Sequence, residues 1–134
     1  MTESIEITTA PRGRLSLRTV AMPANTNASG HIFGGWLLSQ MDLAGGTHAF
    51  QRTRGRAVTV AVEAMEFHQP VFVGDEVSIY TDITRVGRSS VTIRVDAWVR
   101  RQGVEHEQVR VTSSTFTFVA VDDNMVKRLV PPEV

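Results

Sequence analysis

No cysteine occurs anywhere in the chain, which removes disulfides, thiolate metal sites and cysteine nucleophiles together. Neither sign of charge is in excess: Lys and Arg number 14 and Asp and Glu number 14, so no global field draws the chain to nucleic acid or to an anionic membrane. No apolar run is long enough to span a bilayer. The start, Met1-Thr-Glu-Ser-Ile-Glu6, lacks the basic and apolar segments of a signal peptide, and a cytoplasmic protein is expected. The histidines at 31, 48, 68 and 106 show no paired ligand spacing, so no metal is expected. No glycine-rich Rossmann or Walker pattern exists, and Ser29 and Ser39 lack the sharp strand-to-helix setting of a nucleophile elbow. What is present is the 42% apolar and 21% charged composition of a folded protein, with 134 residues enough for one domain and its own core.

The order of elements follows from periodicity. Residues 1–13 are polar and read as a loose lead-in, as does the tail over 123–134, which should leave the sheet. Leu15 to Met22 reads as a first strand, and a loop over 23–33 opens at Pro23. Over 34–51, Leu38, Met41, Gly45 and Ala49 recur at helical spacing. Trp36, Leu43 and Phe50 make a second apolar stripe, so a helix buried on two sides is expected. Strands then follow to near the end. Val58, Val60 and Val62 alternate with polar or small residues, and Met65 and Phe67 continue on the other parity after a bulge near Glu63 or Ala64. Val77, Ile79 and Ile83 form the next alternation, and Val91 to Val99 a clean one beyond the turn 86–90. Gln102-Gly103 breaks that run. A last strand spans roughly 107–121, with a parity slip at Ser113-Ser114. Short connections make the later strands antiparallel neighbours. One helix buried on two sides implies an α+β fold in which a curved sheet of about five strands wraps it, and the free edge at Val58 to Val62 invites a second copy.

One stretch stands out chemically: Asn27-Ala-Ser-Gly-His31-Ile-Phe33-Gly34-Gly35-Trp36. It delivers a histidine to the start of an apolar helix, where main-chain N–H groups lack intrahelical partners and the helix dipole favours negative charge. Glycines at 34 and 35 keep side chains out of the way of a ligand approaching that backbone. Imidazole accepts a proton from water near neutral pH, which makes His31 a candidate base; the plainer alternative is a loop histidine bonded to backbone. Asp42, two turns on, needs a partner or a task if buried, either holding His31 or water, or making a structural hydrogen bond. Asn27 reads first as an Asx turn and second as a positioner of water. Glu63 reads as a solvated carboxylate. The Gly35 N–H, with Gly34, suits polarisation of a carbonyl. The turn Arg85-Val-Gly87-Arg88-Ser89-Ser90 supplies two guanidinium groups, hydroxyls and a flexible glycine, a phosphate-binding set that is otherwise a solvated hairpin tip.

The chain resembles the hotdog-fold acyl-CoA thioesterases, and most of all their bacterial broad-specificity group. The matching elements are Leu17-Arg-Thr-Val-Ala-Met-Pro23, Asn25-Thr-Asn27, Gly30 to Trp36, Ser39-Gln-Met-Asp42, Val58-Thr-Val60 with Val62-Glu63, Pro70-Val-Phe-Val-Gly-Asp75, and Thr115-Phe116. The resemblance implies a single hotdog domain over 1–134 that hydrolyses acyl-CoA to free acid and coenzyme A. Coenzyme A is part of the substrate, so no separate cofactor is implied. It further implies a homodimer with sites between subunits, often assembled as a trimer of dimers. His31, Asp42, Asn27 and Gly35 are then the catalytic candidates, and Phe33, Gly34, Thr59, Arg85, Gly87, Arg88, Ser89 and Ser90 the substrate-binding ones. Where that group carries an acidic residue immediately before Ile-Phe-Gly-Gly, this chain has His31. Two other readings follow from that departure: a non-catalytic acyl-CoA binder, and a hotdog hydratase acting on 2-enoyl thioesters through His31 and Asp42. Prolines expected around the helix start of such hydratases are absent from Ile32 to Trp36.

Overall fold

The structure is a computed structural model that describes residues 10–101 and 107–133. The lead-in up to residue 9, the break at Gln102-Gly103 and His106 lie outside them. The elements are β1 (Arg14–Val20), α1 (Gly34–Thr53), β2 (Ala57–Val62), β3 (Glu76–Val86), β4 (Ser90–Arg100) and β5 (Val109–Ala120), with a short 3-10 turn at Pro23–Asn25. All strands form one antiparallel sheet in the order β1-β3-β4-β5-β2. The helix touches every strand, so the sheet curves around it, giving the expected α+β architecture.

The core follows from strand alternation. Val91, Ile93, Val95, Ala97 and Val99 of β4 are wholly buried, together with Val77 and Ile79 of β3 and Phe116 and Phe118 of β5. Against them the helix presents Leu37, Met41, Ala44, Gly45 and Ala49. Fully burying an aliphatic side chain such as Leu37 or Met41 contributes about 1.5–3 kcal/mol. Gly45 is part of this fit: a Cβ there would lie 3.0 Å from Phe118 Cζ and 3.4 Å from Val95 Cγ2. No helix among the described residues is long and apolar enough to cross a membrane.

Four expectations are corrected. The second helical stripe is not buried in the single chain: Leu43 is 58% exposed and Phe50 57%, because the sheet covers one side of α1 and ends at β2. The bulge in β2 lies at Val60, between Thr59 and Ala61, and the strand ends at Val62. Met65 and Phe67 belong to an extended segment beside β5, tied by single bonds such as Glu63 N–H to Thr115 O at 3.0 Å and His68 N–H to Val111 O at 2.8 Å. In β5 the slip falls at Val111, where Trp98 pairs with Arg110 and Ala97 with Thr112, so one residue is extra. The tail is not loose up to residue 133. Arg128 donates to the carbonyls of Val121 (2.8 Å), Thr53 (2.9 Å) and Arg56 (3.2 Å), and Arg52 donates to Pro131 O at 2.6 Å. Thr53 closes α1, Arg56 precedes β2 and Val121 follows β5, and the one Arg128 guanidinium satisfies these three carbonyls together.

Candidate active site

The loop before α1 is built by Asn27. Its side-chain Oδ1 accepts from Ser29 N–H (2.9 Å) and His31 N–H (3.1 Å), and its own N–H donates to His31 O at 2.7 Å. This is the Asx turn expected of Asn27. Gly30 closes it with φ +83°, a conformation that glycine adopts without strain. Thr26 and Ile32 then bridge, so the chain enters the helix at a fixed angle. His31 is exposed, and its ring stands edge-on to Phe72 at 6.3 Å. Phe72 in turn lies under the guanidinium of Arg101, 4.7 Å from the ring centroid, and Arg101 is paired with buried Asp75.

At the helix start, no side chain caps the first turn. The N–H groups of Gly34 and Gly35 have no acceptor among the described residues, while that of Trp36 donates to Phe33 O at 3.1 Å. Gly34 is not bare, however: an ideal Cβ there would lie 3.1 Å from the Phe67 ring, so its missing side chain admits that ring. Phe33 flanks Gly35 in the same way, 3.4 Å from where its Cβ would be. Phe33, Gly34 and Phe67 also wall a small cavity of about 110 Å³ with Leu37 and Val71.

Asp42 lies eight residues from Gly34, ~12 Å along a helix that rises 1.5 Å per residue. Within one chain it is therefore not joined to His31. Its Oδ1 accepts a 2.6 Å hydrogen bond from Thr59 Oγ1 on β2. Both residues line a cavity of about 530 Å³ between α1 and β2, whose other walls include Leu43, Gly46, Phe50 and Phe118. A carboxylate held in an open groove of this size, with Leu43, Phe50 and Phe118 set beside Thr47, Gln51 and Thr59, is compatible with a small-molecule site. Sequence reading singled out Asp42 and Thr59 but missed Gly46, Thr47 and Gln51 beside them. The spacing Asp42, Gly46, Phe50 was the available signal, since residues four apart share one helix face.

The turn at 85–90 sits at the other end of the sheet from the helix start. Gly87 N–H donates to Ser90 O at 2.7 Å, Ser89 O accepts from Ala120 N–H, and Arg88 O accepts from Val130 N–H. Arg85 and Arg88 are exposed, and neither guanidinium has a partner among the described residues. Arg85 pairs with Thr92, on the outer face of the sheet away from α1. The structure thus gathers the candidates into two separate groups in one chain: Asn27, His31, Phe33, Gly34 and Gly35 at the helix mouth, and Asp42 with Thr59 further along, at the end that carries the turn.

Half-buried on the far side of the helix, His48 Nδ1 is 2.8 Å from Thr81 Oγ1, itself 2.6 Å from Ser16 Oγ. Burial lowers the His48 pKa from its ordinary value, Arg14 lowers it further, and Asp82 opposes both.

One long helix held by a curved antiparallel sheet, with polar groups at its mouth and mid-length, defines a hotdog-fold protein. The sequence model of the thioesterase superfamily matches residues 29–106. The acyl-CoA thioester hydrolase YciA of Escherichia coli (strain K12) is 46% identical over 125 residues, covering 92% of this chain and 95% of that protein. Among solved structures, a hexameric broad-specificity acyl-coenzyme A thioesterase superposes with a TM-score of 0.88 at 50% identity, over 92% of this chain and 85% of the other. A hexameric thioesterase from Yersinia pestis gives 0.86 at 48% identity, over 92% and 100%. The chain belongs to the thioesterase superfamily.

Proposed function

We propose that this protein hydrolyses acyl-CoA thioesters to free acid and coenzyme A, with Asp42 as the general base. The observation that carries the assignment is the Asp42 carboxylate, oriented by Thr59 at 2.6 Å and set at one end of the 530 Å³ cavity. Asp42 takes a proton from water as the water oxygen bonds to the carbonyl carbon. The resulting oxyanion is held by main-chain N–H groups of Gly35 and Gly34, which have no acceptor among the described residues. The C–S bond then breaks and the proton passes to the leaving thiolate.

In one chain those donors are too far from Asp42 to share a carbonyl with it. A two-fold axis at β2 removes the difficulty. Antiparallel pairing of β2 with its copy reverses the partner's helix and brings the partner's helix mouth alongside the Asp42 half of this one. The same pairing covers Val60, Val62, Leu43 and Phe50, all exposed in the single chain. Each site would draw Asp42 and Thr59 from one protomer and the Asn27 to Gly35 mouth from its partner. Three such dimers make a hexamer, the assembly of the two solved relatives.

Within this reading Arg85, Arg88 and the turn 87–90 hold the coenzyme A phosphates on the outer face of the sheet, and the protein works in the cytoplasm. His31 as the base is a second reading, favoured by its place immediately before the Gly34-Gly35 mouth. Purified protein should release free thiol from acyl-CoA; release no faster than in buffer, across short to long chains, overturns the proposal.

A further inference from the structure

We propose that Gly46 sets the length of acyl chain the cavity accepts, keeping it open to chains of medium length. The inference rests on the reading of Asp42 as the base, because that places the thioester carbonyl at the Asp42 end. From Asp42 the cavity follows one helix face through Gly46 to Phe50 and Gln51. That is nine residues, ~13 Å along the axis. An extended hydrocarbon of about ten C–C bonds covers the same distance. Leu43, Phe50 and Phe118 give it an apolar side that suits an alkyl chain, while Thr47, Gln51 and Thr59 line the rest. Arg85 pairs with Thr92 on the opposite face of the sheet and is not among the residues lining the groove.

Neighbouring glycines separate packing from space. Gly45 is required by its neighbours, since a Cβ would press on the Phe118 ring and Val95. Gly46 is not: a Cβ there meets only Phe118 Cε2, at 3.8 Å, an ordinary contact. A glycine inside a helix is destabilising relative to alanine, and within one chain nothing in the packing of residue 46 compensates. What its missing side chain leaves is a clear passage ~6 Å beyond Asp42, four residues on. A side chain grown there would close the groove after about four or five carbons.

The test is the ratio of kcat/KM for decanoyl-CoA to that for acetyl-CoA. Gly46→Leu should lower this ratio about 30-fold or more, and Gly46→Ala should lower it less in the same direction. Leucine favours helix more than glycine does, so thermal melting should equal or exceed that of the unaltered protein and molecular mass should match it; should Gly46→Leu not assemble, the Gly46→Ala ratio decides. A ratio unmoved by either substitution, or an equal loss on both substrates, overturns the proposal and leaves the hydrolase reading standing. Full turnover by Asp42→Ala, by contrast, would remove the premise that the carbonyl sits at Asp42.

Discussion

The two faces of α1 obey different constraints. One face, Leu37, Met41, Ala44, Gly45 and Ala49, is sealed against the sheet, and the glycine at 45 is there because a ring occupies its place. The other, Asp42, Leu43, Gly46 and Phe50, opens on a cavity and on solvent. Periodicity alone suggested burial on both sides, through Leu38, Met41, Gly45 and Ala49 on one and Trp36, Leu43 and Phe50 on the other, but Leu38 is exposed and its neighbour Leu37 takes the buried place. Folding of a single chain needs only the first face. The second is apolar without being covered, which is the mark of a surface that meets a substrate or another protomer.

Adjacent residues test that division most severely. Asp42→Ala should cut hydrolysis about 10²–10⁴-fold, the range for loss of a general base, with little change in melting temperature. Met41→Ala, one residue back on the sealed face, should instead cost about 2–5 kcal/mol of stability, read by denaturant unfolding. If His31→Ala produced the larger loss of turnover, the base would be the imidazole and the second reading would prevail. Leu43→Asp comes next in size. It should leave a folded chain of lower mass in light scattering and greatly reduced turnover, because a carboxylate cannot be buried unpaired between helices. A mass equal to that of the unaltered protein would place Leu43 outside the interface.

The smallest effect belongs to His48, on the sealed side. Its pKa is lowered in the folded state by burial and by Arg14, so the unfolded chain binds the proton more readily. The stability this provides is complete above the unfolded value near 6.5 and is lost as pH falls through the folded pKa. Between about pH 8 and pH 5, therefore, the unaltered protein should lose more melting temperature than His48→Gln does. Equal losses would mean that the carboxylates alone set the acid sensitivity.

Much of the architecture was legible because alternation in β3, β4 and β5 and helical spacing in α1 are strong and agree with short connections. The Asn27 turn was legible because asparagine carries its own mechanism for bonding nearby backbone N–H groups. The fate of Leu43 and Phe50 was not, since periodicity records that a face is apolar and not what covers it. The tail also escaped reading. Its bonds run from Arg128 to carbonyls more than seventy residues away, and such contacts leave no local pattern. Of the site, the polar members could be found by residue type. Gly46 could not, because a residue that acts by leaving space looks the same in sequence as one that fits a turn.

The position of β2 in the sheet also bears on how the chain reaches its folded state. It follows the helix directly, yet its ladder partner is β5, more than fifty residues later. While the chain is being synthesised, β2 therefore waits with both edges unpaired and Val58, Val60 and Val62 uncommitted. Closing so long a loop is slow, and exposed apolar strands are prone to associate with each other in the interval. The edge best suited to recruit a second protomer is thus the last to be secured in the first. Growth temperature and synthesis rate should govern the yield of assembled protein more strongly than its final stability does.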